Sequence, residues 1–260
     1  MRNQQSSSTA QSVAINAVLL LYESAFGKLV PSDTVPPTRW FLQGVPGLTA
    51  NSSTLSNCAS MCPCMQRIEQ WKLPGITIHN LLRKLWFEDK VRDALDSGCS
   101  QIVVIGPGFD TLAYRLHQEF PAVRWWEIDH PATQQIKRIV LERHGGIKAN
   151  LKLLPVDFTQ QTLADVLTST AHYNRHAVSL FVVEGLFMYL TEAKVREFLQ
   201  TIHKYSGSGS GLIGTVLAEQ KDGQKDSQLA IPEAKRTSKL ACQHGTLAYR
   251  RAFSMASIFR

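Results

Sequence analysis

The chain has 260 residues, 44% of them hydrophobic and 19% charged, and a formal net charge of +7. That length suits one large α/β domain with a helical cap, and the composition suits a globular protein with a sizeable core. Lysine and arginine are spread along helical stretches (Arg83, Lys84, Lys90, Arg92; Lys137, Arg138, Arg143) rather than massed, so they read as solvated helix faces and exclude a nucleic-acid surface.

Residues 1–11 are polar and serine-rich, and residues 11–26 carry Val13, Ala17, Leu20, Leu21 and Phe26 at helical spacing. This predicts an amphipathic helix ended by Gly27. The apolar run at 17–22 is too short to span a bilayer, and no small-residue cleavage site follows it, so a cytoplasmic protein without a membrane partner is expected. Pro31, Pro36 and Pro37, then Gly44, Pro46 and Gly47, are expected to break the next stretch. The five cysteines make an odd set, which does not describe a disulfide framework. Cys58, Cys62 and Cys64 with His79 resemble part of a metal site, but Cys-Pro-Cys holds two sulfurs too tightly for common zinc spacings, and no metal is expected. Residues 1–76 therefore read as a helical lid and residues 77–260 as an α/β domain.

Residues 77–97 form one helical stretch or two, with Leu81, Leu82, Leu85, Val91 and Leu95 as the apolar stripe and Gly98 as the stop. The sequence QIVVIGPGFD at 101–110 then gives a buried strand, a tight turn at Gly106-Pro107-Gly108 and the start of a helix. Further strands are expected at 123–128, 151–156, 178–183 and 211–218, separated by helices at 131–144, 161–170 and 191–205. Pro131 occupies the first-turn position that proline tolerates, and Thr191 caps the last of these helices. Strand and helix alternate five times, which predicts a doubly wound, mostly parallel sheet. Residues 220–260 carry no clear strand except one at about 246–253.

In such a sheet ligands bind outside the carboxyl ends of the strands. The pattern Gly106-x-Gly108-x-x-Thr111 lacks the third glycine of a dinucleotide fingerprint. About twenty residues on, Glu127 or Asp129 supplies a carboxylate able to accept ribose hydroxyls. Two more strands end in Asp157 and Glu184, and Asp110 stands beside the turn. These acids would repel a pyrophosphate but suit ammonium, sulfonium and adenine amino groups, so S-adenosylmethionine is expected rather than NAD.

QIVVIGPGFDTLAYRL, WWEIDHPATQQIK, PVDF and VVEGLFMYL follow one another in this order. Together they resemble the leucine carboxyl methyltransferase family, over about residues 83–190. The resemblance implies a Rossmann-like class I methyltransferase fold with an N-terminal lid, and an S-adenosylmethionine-dependent O-methyltransferase. It implies that Arg83 pairs with the carboxylate of the methionine moiety, that Gly106 and Gly108 pass close to the cofactor, and that Asp129 holds the ribose. Asp157 and Phe158 would lie at the adenine, and Glu184 at the amino-acid end. Pro107 stands where the family has alanine, and the family's closing antiparallel strand pair is not legible after residue 219.

The reaction expected is in-line methyl transfer to a carboxylate or hydroxyl of a small molecule or peptide. A carboxylate acceptor is already ionised at neutral pH and needs no general base. No catalytic base is evident; Tyr189 and His130 stand near strand ends, with Tyr189 the candidate for substrate contact. The competing readings are a nicotinamide-dependent oxidoreductase and a non-catalytic protein that retains the methyltransferase fold.

Overall fold

The computed structural model describes residues 14–15, 27–45, 76–215, 241–243 and 246–250. Most of the expected 11–26 helix and the cysteines at 58, 62 and 64 lie outside these residues.

Pro36 and Pro37 open a helix instead of breaking one. A 3-10 turn at Ser32–Thr34 leads into α1, Val35–Gly44, with proline in its first turn. That turn has no backbone acceptor waiting for the N–H that proline lacks, and proline's fixed φ suits a helix start. Gly44, the last residue of α1, packs so closely that a Cβ there would lie 2.3 Å from Val140 Cγ2. Phe41 and Leu42 of α1 are buried among Ile102, Trp125 and Leu141.

The long helix α2, Ile76–Asp96, is a single element, and Gly98 turns the chain beyond it with φ +88°. Its inward side chains are Leu81, Phe87, Val91 and Leu95, whereas Leu82, expected in the apolar stripe, is exposed. The chain then alternates as β1 (Gln101–Ile105), α3 (Leu112–Glu119), β2 (Arg124–Asp129), α4 (Pro131–Arg143) and β3 (Leu151–Pro155). It continues with α5 (Leu163–Ser169), β4 (Ser179–Val183), α6 (Glu192–Lys204) and β5 (Gly211–Thr215). The turns are chemically set: Thr162 and Asp165 form a reciprocal capping box on α5, and Thr191 accepts the Lys194 N–H at the start of α6.

The sheet runs β3-β2-β1-β4-β5 with every neighbour parallel. Two short strands complete it, β6 (Ala241–Gln243) and β7 (Thr246–Arg250), with β7 antiparallel to β5 and β6 antiparallel to β7. The closing antiparallel pair that the sequence did not show is therefore present. β1 and β4 are buried at all five positions, as strands covered on both faces must be. Ile102 and Val104 face a core with α1 to α4, while Val103 and Ile105 face a second core with α5 and α6. Each such side chain contributes about 1.5–3 kcal/mol by leaving water. The chain lays β2 and β3 to one side of β1 and then β4 and β5 to the other. The order thus reverses between β1 and β4, where an open α/β sheet leaves a crevice at the strand ends.

Candidate functional site at the strand ends

The turn after β1 brings its backbone donors against carboxylates. Gly106 and Gly108 both take positive φ, +68° and +56°, which a side chain would strain. The Gly106 N–H donates to the Ile128 carbonyl at 2.8 Å, tying the turn to β2. The Gly108 N–H donates to Asp129 Oδ2 at 2.6 Å, and the His130 N–H donates to Asp129 Oδ1, also at 2.6 Å. Asp129 is thus fixed at the end of β2 facing the turn. Burial pushes its carboxyl above the ordinary value, against the pull of these two N–H groups. His130 is the N-cap of α4, its Nδ1 accepting the Ala132 N–H at 3.3 Å.

Asp110 closes the turn. Its Oδ1 accepts the Leu112 N–H at 2.6 Å, and its Oδ2 pairs with Lys84. Burial alone would raise the Asp110 pKa, but the Lys84 ammonium and the Leu112 N–H outweigh it and hold the group at about 2. Lys84 Nζ also reaches Glu184 Oε2 at 2.8 Å, and Arg83 Nε donates to Glu184 Oε1 at 2.8 Å. Burial would lower the Lys84 pKa, yet the two carboxylates raise it. Helix α2 is thereby clamped to the ends of β1 and β4 by a cluster of Arg83, Lys84, Asp110 and Glu184. Behind Glu184, the Gly185 N–H donates to Thr215 Oγ1 at 2.7 Å.

Asp157 and Phe158 follow β3, whose end is tied to β2 by the Val156 N–H on the Asp129 carbonyl at 2.8 Å. Asp157 Oδ1 accepts the Thr159 N–H and hydroxyl, at 2.9 and 2.7 Å, and those bonds hold its pKa below the usual carboxylate value. Phe158 is 38% exposed. Tyr189 ends a 3-10 turn at Phe187–Tyr189 and is exposed, as is the adjacent Met188.

The sequence-derived residues therefore assemble in two groups. Arg83 bonds Glu184 directly and Asp110 joins them through Lys84, while the Gly106 and Gly108 N–H groups bond the end of β2 at Ile128 and Asp129. Asp157, Phe158 and Tyr189 follow the neighbouring strands β3 and β4. Glu127, the alternative ribose acid, points into the core and pairs with Lys137 at 2.6 Å. The reading of basic residues as solvated faces fails for Lys137, which is fully buried, and for Lys84, which belongs to the site. Among the described residues no group of three His, Cys, Asp or Glu side chains is arranged to hold a metal ion. No helix among them is long and apolar enough to cross a membrane.

A profile of leucine carboxyl methyltransferases matches residues 46–203, which include the turn, Asp129, Asp157 and Glu184. The chain belongs to the leucine carboxyl methyltransferase family. Similar proteins include YktD of Bacillus subtilis, a candidate S-adenosyl-L-methionine-dependent methyltransferase. It is 28% identical over 134 residues, covering 51% of this chain and 43% of YktD. A protein of Mycolicibacterium paratuberculosis with the same description is 31% identical over 144 residues, covering 55% of this chain and 45% of the relative. The chain spans about half the length of the curated relatives it matches. Among solved structures, a candidate methyltransferase from Thermobifida fusca aligns at a TM-score of 0.47 and 17% identity, over 61% of this chain and 60% of the other.

Proposed function

We propose that this member of the family binds S-adenosylmethionine at the carboxyl ends of β1 to β4 and methylates an oxygen acceptor, in the first instance a carboxylate. The observation that carries the reading is the occupancy of the turn's donors. A dinucleotide site offers the N–H groups of its glycine turn and following helix to a pyrophosphate. Here Gly108 donates to Asp129, Leu112 donates to Asp110, and Pro107 has no N–H. The turn thus presents carboxylates in place of donors. That acceptor set fits a cofactor with a sulfonium, an ammonium and ribose hydroxyls, and it opposes a nicotinamide dinucleotide.

Residue roles follow from chemistry. Asp129 keeps lone pairs for ribose hydroxyls beyond the two N–H groups it accepts. Asp157 and Phe158 would meet the adenine, the first as acceptor for the amino group and the second as an apolar surface. Arg83 is held through Nε and has its terminal nitrogens to offer to the methionine carboxylate. Gly106 and Gly108 allow close backbone approach, and Glu184 and Asp110 favour the cationic end. The cofactor supplies an electrophilic methyl group on sulfur.

The chain's own contribution is alignment and exclusion of water. The acids and the histidine here are already engaged: Asp110 and Glu184 face cations, Asp129 accepts two N–H groups, and His130 Nδ1 caps α4. An acceptor that is already anionic suits such a site better than a hydroxyl that must lose a proton. We assign contact with the acceptor to Tyr189 and acceptor selection to the part of residues 1–76 outside α1, whose Phe41 and Leu42 belong to the core. The test is methyl release from labelled S-adenosylmethionine against paired carboxylates and alcohols of similar shape. Esterification of carboxylates is expected; transfer confined to alcohols or amines would overturn the acceptor class.

A further inference from the structure

The cluster at the end of α2 has a charge balance that the roles above do not use. Arg83 and Lys84 supply two positive charges, and Asp110 and Glu184 supply two negative ones, so the group is neutral. Each carboxylate oxygen already has a donor: Leu112 N–H and Lys84 on Asp110, Arg83 and Lys84 on Glu184. Lys137 touches the Asp110 carbonyl, but its charge is balanced by Glu127.

We propose that Lys84 is a specificity-determining residue, which makes this end of the site accept a ligand bearing both an ammonium and a carboxylate and reject one bearing the ammonium alone. The inference rests on the S-adenosylmethionine reading above. An ammonium arriving alone meets acceptors already satisfied by a cation and adds net positive charge to a partly desolvated, neutral group. A ligand whose carboxylate comes with its ammonium adds none, because Arg83 and Lys84 take the carboxylate while the acids take the ammonium. Arg83 cannot set this preference by itself, since it bonds only Glu184 in the cluster, whereas Lys84 bridges both acids. Without Lys84 the cluster carries one surplus negative charge and welcomes a bare cation.

The experiment is calorimetric titration of the wild type, Lys84→Met, Lys84→Gln and Lys84→Arg with three ligands: S-adenosylmethionine, its decarboxylated form and 5′-methylthioadenosine. The wild type should bind S-adenosylmethionine at least about tenfold more tightly than the decarboxylated form. Both neutral variants should lower that ratio by about tenfold, chiefly through tighter binding of the decarboxylated form. Lys84→Arg should keep the ratio, and 5′-methylthioadenosine, which lacks the amino-acid end, should bind all four proteins alike. A ratio unchanged in the neutral variants overturns the proposal. So does a ratio lowered only by weaker binding of S-adenosylmethionine, which would make Lys84 a simple carboxylate holder. If the wild type binds neither S-adenosylmethionine nor 5′-methylthioadenosine, the cofactor reading itself fails and takes this inference with it. Two neutral variants are used so that a folding defect in one, seen in its thermal melt, leaves the other to decide.

Discussion

Lys137 Nζ lies 2.6 Å from Glu127 Oε2 with both side chains 1% exposed, and the same ammonium donates to the Asp110 carbonyl at 2.7 Å. A buried ion pair therefore stands behind the glycine turn and holds one end of it. Lys137 also lies over the Phe41 ring, 5.3 Å from its centroid, which couples α1 to the same point. Burial pushes the Glu127 carboxyl up, and the Lys137 charge pulls it back.

Removing one partner leaves the other charge buried and unpaired. Lys137→Met should lower unfolding free energy by about 3–5 kcal/mol in urea denaturation. The double variant Glu127→Leu/Lys137→Met should be more stable than Lys137→Met alone, because no stranded charge remains. A single variant as stable as the wild type would mean that the pair does not form.

Asp129 is expected to be the most sensitive cofactor contact. Asp129→Ala should weaken S-adenosylmethionine binding by at least about tenfold, since it removes the ribose acceptor and frees the Gly108 and His130 N–H groups. Asp129→Asn retains one acceptor oxygen and should fall between the two. Unchanged affinity in calorimetry of Asp129→Ala would remove the ribose role.

Acid stability should carry the signature of Asp110. Its folded pKa is depressed to about 2 from 3.8, so its stabilisation is present above about pH 4 and is lost as pH falls toward 2. The amount at stake is about 2 kcal/mol. Glu127 and Asp129 are shifted upward and act in the opposite sense, so the test is a difference between proteins. Between about pH 4 and 2 the wild type should lose more stability than Asp110→Asn. Parallel curves would show that the Lys84 contact contributes nothing.

Pro107 sits between two glycines of positive φ, its carbonyl accepting the Asp110 N–H at 2.9 Å. The turn's bonds come from Gly106, Gly108 and Asp110, so it forms without a donor at position 107. Pro107→Ala should therefore keep the fold and cost only about 0.4–1 kcal/mol through the freer unfolded chain. A larger loss in thermal melts would mean that proline itself shapes the turn.

The five parallel strands were legible because continuous apolar runs such as VSLFVV end in glycine, acid or proline. Asp110, Asp129, Asp157 and Glu184 were legible as strand-end acids for the same reason. Lys137 had a signal that charge alone concealed: Thr133, Gln134, Val140 and Leu141 place it on the buried side of α4 at helical spacing. Glu127, between Trp126 and Ile128, is the partner that such a lysine requires. Lys84 was not legible, because its partners come from the β1 turn and the end of β4, far along the chain. Strand β6 has only three residues and no alternation to read, and the prolines of α1 were mistaken for breaks because a helix start and a break share that residue.

On the proposed reading, carboxylates rather than N–H donors meet the ligand at the glycine turn. Calorimetric titration of the purified chain with S-adenosylmethionine and with NAD tests it most directly. Saturable one-to-one binding of S-adenosylmethionine with no measurable heat from NAD is the predicted result. Binding of NAD without binding of S-adenosylmethionine would contradict it.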